Sequence, residues 1–265
     1  MIGFLIRKTF YDLWDNLFRI ALVNLGFIAS FAIPAILPSV IHVTALSISI
    51  LAIGILWCCI YLSAVALSLK SISDYGTFGF RDFFRNLKAG WLYGLCMGIV
   101  IFLIVVIITQ IIPFYLGMNS LVGLFLAAVI FWALVVCILS FQFFFAIRAR
   151  LDTKLVKIFK KCFIIFFDNP GLSIFSILHN IVLLVVSGLL AFLIPGPAGI
   201  LLFLDEALRL RLLKYDWLEA NPEPEVPGQR RRTRRRSIPW DAILIEEREK
   251  TGTRTLKSFI FPWKD

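Results

Sequence analysis

The side chains able to do chemistry in this 265-residue chain are few, and most sit in apolar surroundings. Asp205 and Glu206 are adjacent, with Arg209 four and three residues further on. Two neighbouring carboxyls are what proton transfer at a reacting centre would need. An arginine one helical turn away makes structural pairing, Asp205 with Arg209 and Glu206 with Arg209, the simpler role. Asn24, Gln110, Gln142, His179 and Asn180 interrupt long apolar stretches. Polar groups so placed line a solute or proton path, with His179 as the titrating member, or they hydrogen-bond between helices. Their small number and lack of charge favour the second role. Cys58, Cys59, Cys96, Cys137 and Cys162 form no C-x-x-C pair, and the chain has only two histidines, so the cysteines read as small buried hydrophobes and no metal site is expected. There is no G-x-x-x-x-G-K-[ST] loop to hold ATP phosphates, and Glu219-Ala220-Asn221-Pro222 only grazes the E-A-A motif with which a permease grips an ATPase. The expectation is a protein that is not an enzyme and carries no cofactor.

Composition explains why chemistry is so sparse. Hydrophobic residues make up 60% of the chain, and its mean hydropathy is +0.88, well above the roughly 45 to 50% apolar content of soluble domains. A soluble enzyme is excluded. Five runs, at residues 20–37, 43–69, 89–112, 121–147 and 172–193, approach or exceed the ~20 apolar residues needed to cross a bilayer as a helix. They are continuous and do not alternate at period two, so a membrane β-barrel is excluded and the fold class is all-α.

The net charge of +10 orients these runs. Arg7, Lys8 and Arg19 precede the first run. Lys70, Arg81, Arg85 and Lys88 lie between the second and third, and Arg148, Arg150, Lys154, Lys157, Lys160 and Lys161 between the fourth and fifth. The alternate turns, at residues 38–42, 113–120 and 194–198, have no Lys or Arg. Lysine and arginine in short loops stay cytoplasmic, so the N-terminus is expected inside and the uncharged turns outside. A sixth segment, residues 198–217, is long enough to span but is apolar only to Leu204. If it returned no chain to the cytoplasm, Arg230, Arg231, Arg232, Arg234, Arg235 and Arg236 would be exported, against the charge rule. Six crossings in three hairpins are therefore expected, with the Pro195-Gly196-Pro197 turn sunk below the outer surface or the fifth helix tilted. The first run is too long for a cleaved signal peptide and reads as a retained anchor, and Ile2 with a chain end lacking a Cys box indicates no lipid anchor.

A cytoplasmic stretch of interleaved aromatic and basic residues precedes each hairpin, beginning at Tyr11, Phe80 and Leu155. The even spacing suggests three units, each an interfacial amphipathic helix followed by a hairpin, although the interfacial aromatic belt and the charge rule produce similar loops unaided. Within these stretches, Asp82-Phe83-Phe84-Arg85-Asn86-Leu87-Lys88 is similar to a D-F-F-R-x-x-K segment. Ala149-Arg150-Leu151-Asp152-Thr153-Lys154-Leu155, continuing to Phe159-Lys160-Lys161, is similar to A-R-F-D-N-T-L, and Asn24 precedes Ala32-Ile33-Pro34. On these segments, residues 12–213 resemble the YesL-like family of small bacterial polytopic membrane proteins. The resemblance implies an accessory protein of carbohydrate ABC transport, because members are often encoded beside such transporters and beside sugar-degrading enzymes. The tail departs from that pattern.

The membrane part is taken as residues 1–217. Residues 218–237 form a Pro-rich and Arg-rich linker, and residues 238–265 a cytoplasmic tail. Trp240, Ile243 and Leu244 sit at helical spacing after Pro239, which suits a short amphipathic helix. The Arg run reads most simply as a contact for anionic lipid at the cytoplasmic face, and otherwise for an acidic partner; no nucleic-acid fold surrounds it. Phe259, Phe261 and Trp263 are too apolar for a solvated end and are expected, with Trp240, to contact lipid, a partner or this protein's own cytoplasmic face. Two functions are carried forward: a non-catalytic accessory or scaffold subunit with a transport-system partner, and a transporter or channel lined by the intramembrane polar residues.

Overall fold

A computed structural model describes residues 1–40, 44–222 and 238–252. Among these every regular element is helical. The chain opens with α1 (Ile2–Asp15), whose Phe4, Leu5, Lys8, Thr9, Tyr11 and Asp12 are buried while Ile2, Ile6, Phe10 and Trp14, four apart, face outward. That pattern is an amphipathic helix with an apolar outward stripe. Asn16 breaks it, and α2 (Leu17–Val40) and α3 (Thr44–Ser73) follow as long apolar helices. Next come α4 (Phe80–Val106), a π-helical turn at Ile107–Ile111, and α5 (Ile112–Gly117), continuous over Phe80–Gly117. Then α6 (Leu121–Phe141), capped by Ser120, passes through a break at Gln142 and Phe143 into α7 (Phe144–Arg150). The remaining elements are α8 (Leu155–Asp168), α9 (Pro170–Leu189), α10 (Gly196–Ala220), α11 (Trp240–Ile243) and α12 (Ile245–Thr251).

Among the described residues five helical stretches are long and apolar enough to cross a bilayer: Leu17–Val40, Thr44–Ser73, Phe80–Gly117, Leu121–Arg150 and Pro170–Leu189. The protein is thus an integral membrane protein of α-helices. α10 is 25 residues long but carries Asp205, Glu206, Arg209 and Arg211 and is not among the five.

Glycines set the closest contact. Gly90, Gly94 and Gly98 line one face of α4 against Ser63, Ile60 and Leu56 of α3, and a Cβ at Gly94 would overlap the Ile60 backbone. The small-xxx-small spacing thus serves approach of α4 to α3. Ser63 Oγ donates to Gly90 O at 2.9 Å, and Asn86 Nδ2 donates to Ser68 Oγ at 2.9 Å, so the antiparallel register is held by side chains as well as shape. Across the other face, Tyr61 donates its hydroxyl to Val23 O at 2.8 Å.

α9 and α10 run antiparallel, with Ser187 level with Gly196, His179 with Phe203, and Asp168 just before α9 with Tyr215. Their connecting turn is held by Asn24 of α2. Its Nδ2 donates to Leu193 O and Pro195 O, both at 2.8 Å, and its Oδ1 accepts from Ala198 N–H at 3.0 Å. Asn24 adjoins Val23 and hence Tyr61, so this turn lies about 25 Å short of the Thr44 end of α3 at ~1.5 Å per residue.

Two sequence expectations change. Phe80 to Lys88 is not a separate interfacial helix but the first turns of α4, because nothing breaks the helix before Gly90 packs on α3. α9 stops at Leu189, not at residue 193, because Ala191 and Phe192 adopt positive φ and the carbonyls of Leu193 and Pro195 turn to Asn24. The stretch at 155 contains an amphipathic helix, α8, burying Ile158, Cys162, Ile165 and Phe166 and exposing Val156, Ile164 and Phe167, whereas the stretch at 11 runs from the end of α1 across the break at Asn16 into the start of α2. Substituting Gly94→Ala forces α4 off α3 and is expected to cost about 1–3 kcal/mol, read as a lowered melting temperature in detergent. Gly188→Ala, where a Cβ meets nothing within 4 Å, is expected to leave it unchanged.

Candidate functional site at the charged end of the bundle

At the end of the bundle where α1, α3, α7 and α10 meet, charge is buried. Lys8 is 1% exposed and Glu206 0%. An isolated ion so placed would cost several kcal/mol, and each finds partners on another element. Lys8 Nζ donates to Asp12 Oδ2 at 2.5 Å, to Ser73 O at 3.1 Å and to Glu206 Oε1 at 3.5 Å, using all three protons. Glu206 Oε2 meets the Thr9 hydroxyl at 2.5 Å. One residue earlier on α10, Asp205 is gripped by the Arg150 fork, Nε to Oδ1 at 2.8 Å and Nη2 to Oδ2 at 2.5 Å. Arg150 also reaches Asp74 at 2.9 Å and Ser73 Oγ at 2.8 Å.

Arg209 completes the network. It donates to Ser73 O, to Asp74 at 3.0 Å and to Glu247 of α12 at 2.7 Å. The pairing expected within α10 is therefore replaced. Asp205 goes to Arg150 and Glu206 to Lys8, because a planar bidentate fork and a desolvated ammonium serve these carboxylates better than one shared arginine on the same helix. Tyr75, at the α3–α4 corner, lies under Lys8 and Arg209, 4.5 Å and 5.2 Å from its ring centre. Its hydroxyl donates to Glu247 Oε2 at 2.8 Å. Burial pushes this phenol well above its ordinary range, so it stays a neutral donor. Leu244 is fully buried and Trp240 packs against the core around Phe203 and Leu208, so this part of the tail is docked on the bundle. Trp240 thus contacts this protein itself, not lipid or a partner alone.

Sequence-derived candidates are scattered. Asn24 holds the α9–α10 turn, as described. Gln142 Nε2 donates to Leu139 O at 2.8 Å and Ser173 O at 2.9 Å, tying α6 to α9, while its Oε1 is buried without a partner. His179 stacks on Phe203 of α10 at 4.0 Å between ring centroids, and its Nδ1 and the Asn180 Oδ1 have no hydrogen-bond partner among the described residues. Gln110 lies apart, exposed in the π-helical turn. Arg230, Arg231, Arg232, Arg234, Arg235, Arg236, Phe259, Phe261 and Trp263 lie outside the described residues. Among the described residues no group of three or more His, Cys, Asp and Glu stands together as metal ligands.

Reading the sequence missed Lys8, Asp12, Asp74, Arg150 and Glu247 as members of one cluster. Lys8 and Arg150 looked like ordinary orienting charges. The available signal was phase: Lys8, Thr9 and Asp12 fall on the same face of α1 as Leu5 and Tyr11. A second joint lies at the α8–α9 corner, where Asp168 accepts from Tyr215 at 2.7 Å, Asn169 at 2.8 Å and Lys214 at 3.4 Å. Burial pushes the Asp168 carboxyl up, but these donors outweigh it and hold it below the usual carboxylate range. Comparison of the chain with protein-family models, with curated proteins and with solved structures found no match.

The arrangement is built to fix elements to one another. Arg150→Met strands Asp205 and is expected to cost about 3–5 kcal/mol, whereas the double change Arg150→Met with Asp205→Leu recovers most of that loss in a thermal melt. At the second joint, a depressed carboxyl contributes stability above its unfolded value of about 3.9 that is lost as pH falls through the folded one. Asp168→Asn should therefore flatten the acid limb of a plot of melting temperature against pH.

Proposed function

We propose that this chain is a non-catalytic accessory or scaffold subunit of the cytoplasmic membrane, whose charged end is a docking platform for a partner. The observation that carries this reading is the cluster of Lys8, Asp12, Asp74, Arg150, Asp205, Glu206, Arg209 and Glu247, which ties α1, the end of α3, α7, α10 and α12 into one body. Beside it stands an exposed surface at the start of α4, with Phe80 68% and Phe84 60% exposed next to the exposed Arg81, Arg85 and Lys88. Exposed aromatics set among cations are the composition of contact sites. This surface includes the D-F-F-R-N-L-K segment, and the resemblance to the YesL-like family suggests that the partner belongs to a carbohydrate ABC transport system.

The topology that goes with this function has six helices in three hairpins, α2 with α3, α4 with α6, and α9 with α10, the last shorter than the others. The charge distribution supports both termini in the cytoplasm, with α1 and α8 along the inner boundary and the Arg run on anionic lipid. A second reading, a transporter using Gln142, His179 and Asn180, is favoured by their buried unpartnered atoms. A photo-reactive residue at Phe84 is expected to give a discrete protein adduct in native membranes, and one at the lipid-exposed Leu121 none. Absence of an adduct at 84, together with solute flux by the purified protein that His179→Ala abolishes, would replace the scaffold with the transporter.

A further inference from the structure

Arg211 stands apart from the network above. It is 5% exposed, yet among the described residues it has no hydrogen bond and no ion pair, and its Nε is buried without a partner. A guanidinium removed from water carries a fixed positive charge and five donors, so leaving it unmatched is costly. The surrounding groups fit one kind of guest. The α9–α10 register, set by Ser187 with Gly196, His179 with Phe203 and Asp168 with Tyr215, places Arg211 level with Leu172 in the first turn of α9. A long helical side chain leans toward the preceding turn of its own helix, here toward the levels of Ser173 and Ser176. Both hydroxyls are buried, at 1% and 0% exposure, and neither has a partner. The first turn of α9 presents backbone N–H groups, and Asn169 makes no side-chain cap there, its amide donating to Asp168 instead. Asp168 is within Coulombic reach of Arg211 but is already engaged by Lys214, Tyr215 and Asn169.

We propose that Arg211, the Ser173 and Ser176 hydroxyls and the first turn of α9 form a binding site for a phosphate-type oxoanion. A helix N-terminus and a guanidinium fork both select such oxygens, and two hydroxyls can each donate to them. The first turn of α9 follows in the chain directly after the end of α8, which exposes Ile164 and Phe167, so the phosphate is that of a lipid headgroup or a free ion. It stands whether or not the charged end docks a partner.

The test follows the melting temperature of the full-length protein in non-ionic detergent. Sodium phosphate is compared with sodium chloride at equal ionic strength, and the non-ionic detergent micelles with and without phosphatidylglycerol are compared in parallel. The expected result is a rise of about 5 °C with at least one probe, as saturation of a native-state site gives. The rise is absent in Arg211→Gln and retained in Arg19→Gln, an exposed arginine elsewhere. A response to phosphate assigns a free ion, and a response to phosphatidylglycerol alone assigns a lipid. No rise with either probe, or a full rise in Arg211→Gln, overturns the site. Should Arg211→Gln fail to fold, the double change Ser173→Ala with Ser176→Ala decides: at most half of the rise supports the site, and full retention overturns it.

Discussion

Charge cannot be left alone in an apolar surrounding, and the rest of this fold is arranged around that constraint. Glu206 and Asp205 sit midway along α10, where helices on several sides exclude water. Each carboxylate must meet a cation brought by another element, since desolvation of an unpaired ion costs several kcal/mol. Lys8 arrives from the N-terminal helix and Arg150 from the end of α7. Ser73 and Asp74, at the end of α3, bridge the two halves by accepting from Lys8, Arg150 and Arg209. The network is therefore the point at which segments far apart in the chain are made to agree on one geometry.

Away from that end, packing is thin and local. The α3–α4 pair closes through glycines and short polar side chains, while α5 and much of α6 present large apolar residues outward, Leu121, Val122, Phe125 and Trp132 among them. Such faces are at ease in lipid, where no hydrophobic force drives helices together and close approach depends on small residues. At the α9–α10 turn, Asn24 gathers loose carbonyls that would otherwise be stranded among apolar side chains.

The spans themselves were plain in the sequence, because twenty or more apolar residues leave only a helix as a way to satisfy the backbone. Gly90, Gly94 and Gly98 recur at the four-residue spacing of a close-packing face, and Asn24 was legible as a residue that would hydrogen-bond between elements. Their partners were not: spacing along one helix says nothing about which neighbour it meets. The same limit explains Asp205 and Arg209. Helical spacing allowed them to pair, but Arg150, distant in sequence, takes Asp205 with two parallel hydrogen bonds. Trp240 and Leu244 were readable as an amphipathic turn, and only the docked tail shows that this turn covers the bundle's own core.

By itself the amino-acid sequence determined that this is an α-helical membrane protein, since continuous apolar length is a property of a single segment and its cost in water or lipid is set locally. The distribution of Lys and Arg likewise carries its orientation signal segment by segment. Which charges neutralise one another, where the α9–α10 turn sits against α2, and that Arg211 has no hydrogen bond or ion pair among the described residues were decided by tertiary structure alone. Pairing energies fall off within a few ångströms and depend on fork geometry and burial, so they are fixed only once the helices have taken their places side by side.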